Sequence, residues 1–282
     1  MTEYEHTPQT AAQTPAGISA TPVPDAAGTA RGDGPPRLTR LDFHGPLSDE
    51  RAARMVARLA RTGPRSVLDV GCGWGELMLR LLAAAPGATG TGLDLNAEDL
   101  DRGRRNAADR ALDDRAAFVE ESALGTARGP ADVVLCLGAS QALSQAPPPR
   151  RTPQALAELR RLVAPGGRVL LGEGFWERTP RPAELARMWP GAGADDHVDL
   201  GALVGLAVDA GFRPEWTETA NADEWDDFES GYQADVEEWL AAHPGHPLAD
   251  ETRRRVDAHR AAYTAYRGVL GIAYLTLVPV AG

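Results

Sequence analysis

Three glycines at alternate positions, directly after a short apolar run, constrain the fold of this chain more than any other feature. Residues Ser66–Val70 have the character of a buried strand, and Gly71, Gly73 and Gly75 follow at once. Glycine permits positive φ angles and lets another group approach the backbone where a Cβ atom would collide. The pattern therefore predicts a strand that turns tightly against a ligand and then leads into a helix.

The rest of the chain alternates between strand-like and helix-like segments, which is typical of βαβ units and of a parallel sheet covered by helices on both faces. The predicted strands are 66–70, 89–95, 116–119, 132–137, 168–172 after a turn at 165–167, 213–219 and 271–278. The predicted helices are 48–61, 76–84, 97–111, 152–163, 200–210, 222–242 and 249–267. A Pro-rich stretch at 175–199 is predicted to be irregular, and long loops of this kind often have a function.

The spacing around the glycine loop differs from that of dinucleotide-binding proteins. Those carry G-x-G-x-x-G, whereas here Asp69 stands two residues before the first of three alternating glycines. Asp94 ends the second predicted strand, 23 residues after Gly71, and the segments 132–137 and 160–167 complete the pattern. Together these residues resemble the motifs of the class I S-adenosylmethionine-dependent methyltransferases. The resemblance implies an α/β fold with a doubly wound, mostly parallel seven-stranded sheet, an antiparallel last strand, and a helical cap inserted at 222–267 between strands six and seven.

The resemblance also implies S-adenosylmethionine as the cofactor, with S-adenosylhomocysteine as its product. Asp69 is then predicted to orient the ammonium group of the cofactor, and the carboxylate of Asp94 to accept hydrogen bonds from both ribose hydroxyls. Ser122 stands where the family commonly has an aspartate, so adenine recognition falls to Ser122, to the backbone at Ala123 or to Glu121. The other predicted cofactor contacts are Gly71, Cys72, Gly73, Leu95 and Leu137.

Contacts with the methyl acceptor are expected beyond the carboxyl ends of strands four and five, where open α/β sheets bind their ligands. Gln141 follows strand four, while Glu173 and Trp176 follow strand five. Two interpretations of Glu173 remain: a catalytic carboxylate that faces the acceptor, or a structural acid that ends its strand. His44 precedes the first helix and is predicted either as a general base or as a structural histidine.

The two helical segments before the last strand carry matching stripes of aromatic and aliphatic residues at the spacing of one helix face. The stripes consist of Trp225, Phe228, Tyr232, Val236 and Trp239, and of Val256, His259, Tyr263, Tyr266 and Leu270. They either pack the two helices onto the sheet or close an aromatic pocket over the substrate. In the second interpretation Tyr232 and Tyr266 supply the polar contacts with the substrate.

Composition excludes several classes of partner. The 282 residues carry a net charge of −11, which disfavours nucleic acid, and no apolar run is long enough to span a membrane. Residues 1–36 lack apolar periodicity and are predicted to form a disordered tail, which leaves 37–282 as the methyltransferase domain. No secretory signal and no metal-binding cluster is evident, and the two cysteines are expected to be reduced. We therefore predict a cytoplasmic protein without a metal.

The leading hypothesis is a small-molecule methyltransferase of specialised metabolism that modifies an oxygen or nitrogen atom. The twelve acidic side chains between Arg213 and Arg253, with no basic residue among them, form either a solvated face or a wall that favours a cationic acceptor. Two alternatives remain at this stage. They are an NAD(P)-dependent oxidoreductase and a non-catalytic S-adenosylmethionine-binding regulatory protein. The oligomeric state is left open.

Overall fold

The computed structural model describes residues 34–281. Residues 1–33, which hold most of the tail predicted for 1–36, lie outside the described residues. Within the described part, no helix has both the length and the apolar character that a membrane crossing requires. Nor does this part of the chain bring three or more His, Cys, Asp or Glu side chains together in an arrangement suited to a metal ion.

Seven strands form one sheet in the order β3-β2-β1-β4-β5-β7-β6. Strands β1 to β5 run parallel to one another, whereas β7 pairs antiparallel with both β5 and β6. The predicted doubly wound sheet with an antiparallel last strand is thereby confirmed. The strands are β1 Ser66–Val70, β2 Thr89–Asp94, β3 Ala116–Glu120, β4 Ala131–Leu137, β5 Val163–Trp176, β6 Phe212–Thr219 and β7 Leu270–Pro279.

Eight helices accompany the sheet in the described residues, and side chains cap several of them. Ser48, Asn96, Asp199 and Asn221 each accept a hydrogen bond from a backbone N–H in the first turn of the following helix. The helices are α1 Asp49–Ala60, α2 Glu76–Ala84, α3 Ala97–Asp109, α4 Arg151–Leu162, α5 Pro182–Leu185, α6 Leu200–Asp209, α7 Ala222–Ala242 and α8 Ala249–Tyr266.

Two hydrophobic cores lie on opposite faces of the sheet. One contains Met55 of α1, Leu81 of α2 and three of the four aromatic residues of α7, while the other contains Leu156 of α4 and Leu203 of α6. Strand residues divide between the cores by the two-residue period of a β-strand, since Leu170 packs in the first core and Leu171 in the second. Successive residues of a strand therefore point alternately towards α7 and towards α4 and α6.

Strand β5 is much longer than the sequence predicts. It begins at Val163 and includes the expected turn as a bulge, because Val163 pairs with Ala131 and the next paired residue is Arg168, opposite Val133. Its far end pairs with β7 as far as Trp176, which the sequence places in an irregular stretch. A continuous antiparallel partner supplies the hydrogen bonds that make this extension possible.

Candidate functional site

The glycine loop lies where the order of strands reverses, between the carboxyl ends of β1 and β4, which is where open α/β sheets form their ligand crevice. Gly71, Gly73 and Gly75 have φ angles of +63°, +54° and +64°. A Cβ atom on Gly71 would lie 2.5 Å from the Cβ of Ala139, and one on Gly73 would lie 2.6 Å from the Cδ2 of His44. The loop therefore requires glycine for both its backbone angles and its packing.

Asp94 is held beside this loop by two backbone donors. The N–H of Gly73 donates to Oδ2 over 2.8 Å, and the N–H of Asn96 donates to Oδ1 over 2.9 Å. A carboxylate oxygen has more than one lone pair, so both oxygens retain the capacity to accept a further hydrogen bond. The side chain reaches the crevice, where it offers a fixed anionic acceptor.

Asp69 lies one strand away and is only 5% exposed. No side-chain or backbone group in the described part of the chain donates a hydrogen bond to its carboxyl group. Burial, followed by repulsion from Asp94, raises the pKa of Asp69 to about 8. This carboxyl group is suited to receive a cation, since a positive charge beside it would favour its ionised form.

A cavity of about 1050 Å³ opens at this edge of the sheet, and a smaller chamber of about 70 Å³ adjoins it. The cavity and the chamber share the walls formed by Gly71, Leu137 and His44. All nine predicted cofactor contacts lie on one of the two. Asp69 and Cys72 line the chamber, and the cavity is lined by Gly71, Gly73, Asp94, Leu95, Ser122, Ala123 and Leu137.

The predicted substrate and catalytic residues divide into two groups. Gln141, Tyr232 and His44 line the cavity. Glu173, Trp176 and Tyr266 do not line the cavity or the chamber. Gln141, Tyr232 and His44 therefore line the same cavity as most of the predicted cofactor contacts. The other three residues lie outside the lining of both spaces.

His44 lies against the glycine loop. Its ring centroid is 3.8 Å from that of Trp74, and its Nε2 is 3.4 Å from Oδ2 of Asp99. Asp99 also accepts a hydrogen bond from Nη1 of Arg37 over 2.5 Å. Burial acts to raise the pKa of Asp99, but the hydrogen bonds from His44 and Arg37 outweigh it and hold the pKa at about 2. His44 therefore stands beside an ionised carboxylate.

Glu173 points to the other face of the sheet. Leu171 and Phe175, two positions before and after it on β5, belong to the core of α4 and α6. Burial raises the pKa of Glu173 to about 7, although hydrogen bonds from Ser140 and from the Gly174 backbone oppose the shift. Its Oε2 has no hydrogen-bond partner among the described residues. The sequence pattern indicated the edge of the sheet at which Glu173 lies but not the face to which its side chain points.

Trp176 and Tyr266 fill the interior beneath the last helices. The ring of Trp176 stacks on that of Trp189, with centroids 6.2 Å apart, and its Nε1–H donates to the carbonyl of Ala194. The hydroxyl of Tyr266 donates to Oε1 of Glu229 over 2.6 Å. Both polar groups thus have partners inside the protein.

The helices α7 and α8, which we call the cap, form one wall of the cavity. The side chains that α7 contributes are Phe228, Tyr232 and Val236, and those from α8 include Arg255, Val256 and His259. Glu229 lies behind this wall with 2% exposure, and its Oε2 is 2.7 Å from Nε2 of His259. The sequence did not single out Glu229, because its position on the helix face of Tyr232 was concealed among neighbouring acidic residues.

Residues 37–48 cross between the cap and the glycine loop, and we call them the N-terminal strap. Thr39 donates from both its N–H and its hydroxyl to the carboxylate of Asp235 on α7. At the other side, the indole Nε1–H of Trp74 donates to the carbonyl of Asp42 over 2.7 Å. The strap therefore joins the cap to the glycine loop.

Comparisons with known proteins agree with this geometry. A family model described as a methyltransferase domain matches residues 67–167. The "Uncharacterized protein YjhP" of Escherichia coli (strain K12) is 29% identical over 230 residues, which cover 79% of this chain and 88% of that protein.

Two solved structures extend the similarity across most of the chain. A SAM-dependent methyltransferase from Thiobacillus denitrificans, in complex with S-adenosyl-L-homocysteine, matches with a TM-score of 0.74 at 26% identity and covers 84% of this chain and 94% of its own. A SAM-dependent methyltransferase from Geobacter sulfurreducens, also in complex with S-adenosyl-L-homocysteine, has the same TM-score and identity and covers 88% of this chain and 100% of its own.

Proposed function

Because the chain belongs to the class I S-adenosylmethionine-dependent methyltransferases, we propose that it transfers the methyl group to an oxygen or nitrogen atom of a small-molecule acceptor in specialised metabolism. The observation that carries the proposal is the pair of carboxylates at the glycine loop. Asp94 is fixed by two backbone donors, and Asp69 is buried without a hydrogen-bond donor in the described chain.

The residues present fit the cofactor. Asp94 accepts hydrogen bonds from the ribose hydroxyls, and Asp69 receives the ammonium group, which supplies the positive charge that this buried carboxyl lacks. The N-terminus of α2 follows Gly75 and attracts the cofactor carboxylate through its free N–H groups. Leu95, which is 70% exposed, provides an apolar surface for the adenine beside Ser122 and Ala123.

The cavity has room for a second molecule. Its volume of about 1050 Å³ lies just above the range of roughly 300–1,000 Å³ that is usual for ligand sites. The cap wall of the cavity carries the side chains of Phe228, Tyr232 and Val256, and Gln141 is a polar residue in the same lining. We place the acceptor between this wall and the glycine loop.

When bound, S-adenosylmethionine supplies an electrophilic methyl group on a positively charged sulfur. The protein's task is to align the acceptor, to exclude water and, for an acceptor that loses a proton, to receive that proton. His44 lies on the cavity wall and is our candidate for a base on the loop side. Glu173 faces Ser140, so we propose that it holds the turn Ser140–Ala142 that presents Gln141.

Binding and transfer are tested separately. S-adenosylhomocysteine is expected to raise the melting temperature of the full chain, whereas NAD is not. Methyl-labelled S-adenosylmethionine is then incubated with the protein and a metabolite extract. Label in a small-molecule product supports an enzyme, and binding without any labelled product contradicts the proposed transfer. Stabilisation by NAD alone would contradict the cofactor.

A further inference from the structure

A carboxylate, an imidazole and a phenol form a cluster in the cap that the predicted catalytic residues do not include. Nε2 of His259 is 2.7 Å from Oε2 of Glu229, and the rings of His259 and Tyr232 stack with centroids 4.4 Å apart. His259 and Tyr232 both line the cavity, while Glu229 is 2% exposed behind them. The cluster thus has a buried acid at its back and an imidazole at the cavity.

Glu229 determines which nitrogen of His259 carries the proton. Its carboxylate accepts from the hydroxyl of Tyr266 at Oε1 and faces Nε2 of His259 at Oε2. A carboxylate has no proton to give, so Nε2 is the donor, and in the neutral ring Nδ1 keeps its lone pair. The same carboxylate stabilises the imidazolium that forms when Nδ1 takes up a proton, as an acid–histidine pair does in other enzymes.

A row of rings connects this cluster to the glycine loop. Phe228 lines both the small chamber beside Asp69 and the main cavity, and its centroid is 6.3 Å from that of Tyr232. Tyr232 in turn stacks on His259. The row therefore offers aromatic side chains to a flat, largely apolar molecule between the loop and His259.

We propose that, for a phenolic hydroxyl acceptor, the general base is His259 in place of His44 and that Glu229 is its positioning residue; this inference rests on the function proposed above. The proton of the phenolic hydroxyl passes to Nδ1 of His259. An electron pair of the phenolic oxygen then forms the new bond to the methyl carbon. The carbon–sulfur bond breaks and its electron pair stays on sulfur, so the positive charge moves from sulfur to the imidazolium.

The cluster favours a hydroxyl over other acceptors. A carboxylate has no proton to lose, and an amine attacks through a lone pair that is already free in its neutral form. A phenol loses its proton during transfer, when a neighbouring base contributes roughly 10²–10⁴-fold to the rate. The aromatic rings of Phe228 and Tyr232 also suit a flat ring.

The tautomer of His259 is tested without turnover. In the full chain with ¹⁵N-labelled histidine and bound S-adenosylhomocysteine, we expect His259 to carry its proton on Nε2. Glu229→Gln should mix the two tautomers. The matched control is Glu237→Gln, which removes an exposed α7–α8 ion pair with Arg260, and it should leave the tautomer unchanged. A proton on Nδ1 in the unmodified protein overturns the role of Glu229.

Transfer is then measured with matched phenols, anilines and benzoates and methyl-labelled S-adenosylmethionine. We expect label on the phenols, a loss of at least about 100-fold in kcat for His259→Gln, and an unchanged affinity for S-adenosylhomocysteine. Glu229→Gln should lower kcat more than it raises KM, and Glu229→Asp should restore part of kcat. His243→Ala, at the exposed end of α7, is the matched histidine control.

The outcomes separate the two proposals. Label only on anilines or benzoates, or full turnover by folded His259→Gln, overturns the assignment of His259. A protein that binds S-adenosylhomocysteine but labels no phenol contradicts the phenolic class of acceptor. A protein that fails to bind S-adenosylhomocysteine instead contradicts the function on which the inference rests.

Discussion

The backbone N–H of Gly73 donates to Oδ2 of Asp94 over 2.8 Å, so the glycine loop after β1 is fastened to the end of β2. The other oxygen of Asp94 accepts from the N–H of Asn96, which caps α3. One carboxylate therefore fixes the positions of two loops that border the same cavity. A ligand that bonds to this carboxylate is held relative to both.

Replacing Asp94 by Ala is expected to weaken S-adenosylhomocysteine binding by roughly ten- to a hundredfold, because a hydrogen bond to a charged group contributes about 1.5–3 kcal/mol. The free energy of unfolding should fall by only about 1–2 kcal/mol, from the two backbone donors left without an acceptor. Isothermal titration calorimetry and urea unfolding measure the two effects. Asp101→Ala, on the exposed side of α3, is the control, and equal affinities of the two variants would contradict the ribose assignment.

Asp69 should release a proton when S-adenosylhomocysteine binds. Burial and repulsion from Asp94 raise the pKa of Asp69 to about 8, so the carboxyl is mostly protonated near pH 7. A bound ammonium group favours the ionised form. The affinity is then expected to rise up to about tenfold per pH unit between pH 6 and 7.

Calorimetry in two buffers of different ionisation enthalpy counts the released protons. Asp69→Asn should abolish the release and flatten the pH dependence of the affinity. Identical binding enthalpies in both buffers for the unmodified protein would show that Asp69 does not titrate on binding.

Glu173→Gln should change how stability depends on pH. Burial raises the pKa of Glu173 from 4.5 to about 7 in the folded protein, so the folded state holds the proton more tightly than the unfolded state. The contribution of Glu173 to the free energy of unfolding is fully present below pH 4.5 and decreases as the pH rises to 7. The unfolding free energy of the unmodified protein, relative to Glu173→Gln, should fall by up to about 3 kcal/mol across this window.

Urea unfolding of the unmodified protein and of Glu173→Gln at pH 4.5 and pH 8 measures this change. The other titratable groups are the same in both proteins, so their contributions cancel in the comparison. Glu158→Gln, on the outer part of α4, is the control. A Glu173→Gln protein whose relative stability is the same at both pH values would disprove the raised pKa.

The cap is joined to α1 by a buried ion pair. Nε and Nη2 of Arg51 each donate over 2.8 Å to the carboxylate of Glu224, which also accepts from the N–H and hydroxyl of Ser48. Burial acts to raise the pKa of Glu224, but the hydrogen bonds from Arg51 and Ser48 outweigh it and hold the pKa at about 2. The ionised carboxylate of Glu224 therefore stabilises the fold above pH 4.5, and this stabilisation is lost as the pH falls to 2.

Glu224→Gln is expected to destabilise the protein by about 1.5–3 kcal/mol at pH 7, because it removes the charge that accepts two hydrogen bonds from the buried guanidinium of Arg51. Arg51 then keeps one carboxylate neighbour, Glu218, at 3.6 Å from Nη1. The matched control is Glu50→Gln, which removes an exposed pair with Arg54 and should cost less than about 1 kcal/mol. Thermal and urea unfolding measure both variants. Equal losses of unfolding free energy in the two variants would show that the buried ion pair stabilises the protein no more than the exposed one does.

The sequence predicted the fold, and it predicted residues that line the cavity and the chamber, because these signals are local. The glycines, Asp69 and Asp94 stand at strand ends, and parallel strands bring those ends to one edge. The acceptor side depends on features that a single sequence does not show. The face to which Glu173 points follows from the register of β5 with its neighbours. The contact between Glu229 and His259 joins residues that are 30 positions apart on two different helices.

Gly73→Ala tests whether His44 and the glycine loop are packed as one unit. A Cβ atom at position 73 would lie 2.6 Å from Cδ2 of His44, and the φ of +54° disfavours any residue except glycine. The substitution should weaken S-adenosylhomocysteine binding by more than tenfold and destabilise the chain. In a His44→Ala background the clash is gone, and only the backbone cost of about 1–2 kcal/mol remains.

The double-mutant cycle should therefore give a coupling energy of about 0.5–3 kcal/mol between the two positions, with the second substitution partly relieving the first. Urea unfolding of the four proteins measures this coupling, and calorimetry measures the matching recovery in affinity. Strict additivity would mean that His44 moves away from Gly73 at no cost. The strap would then be too loosely held to position a base on the loop side, and His44 would lose its candidacy.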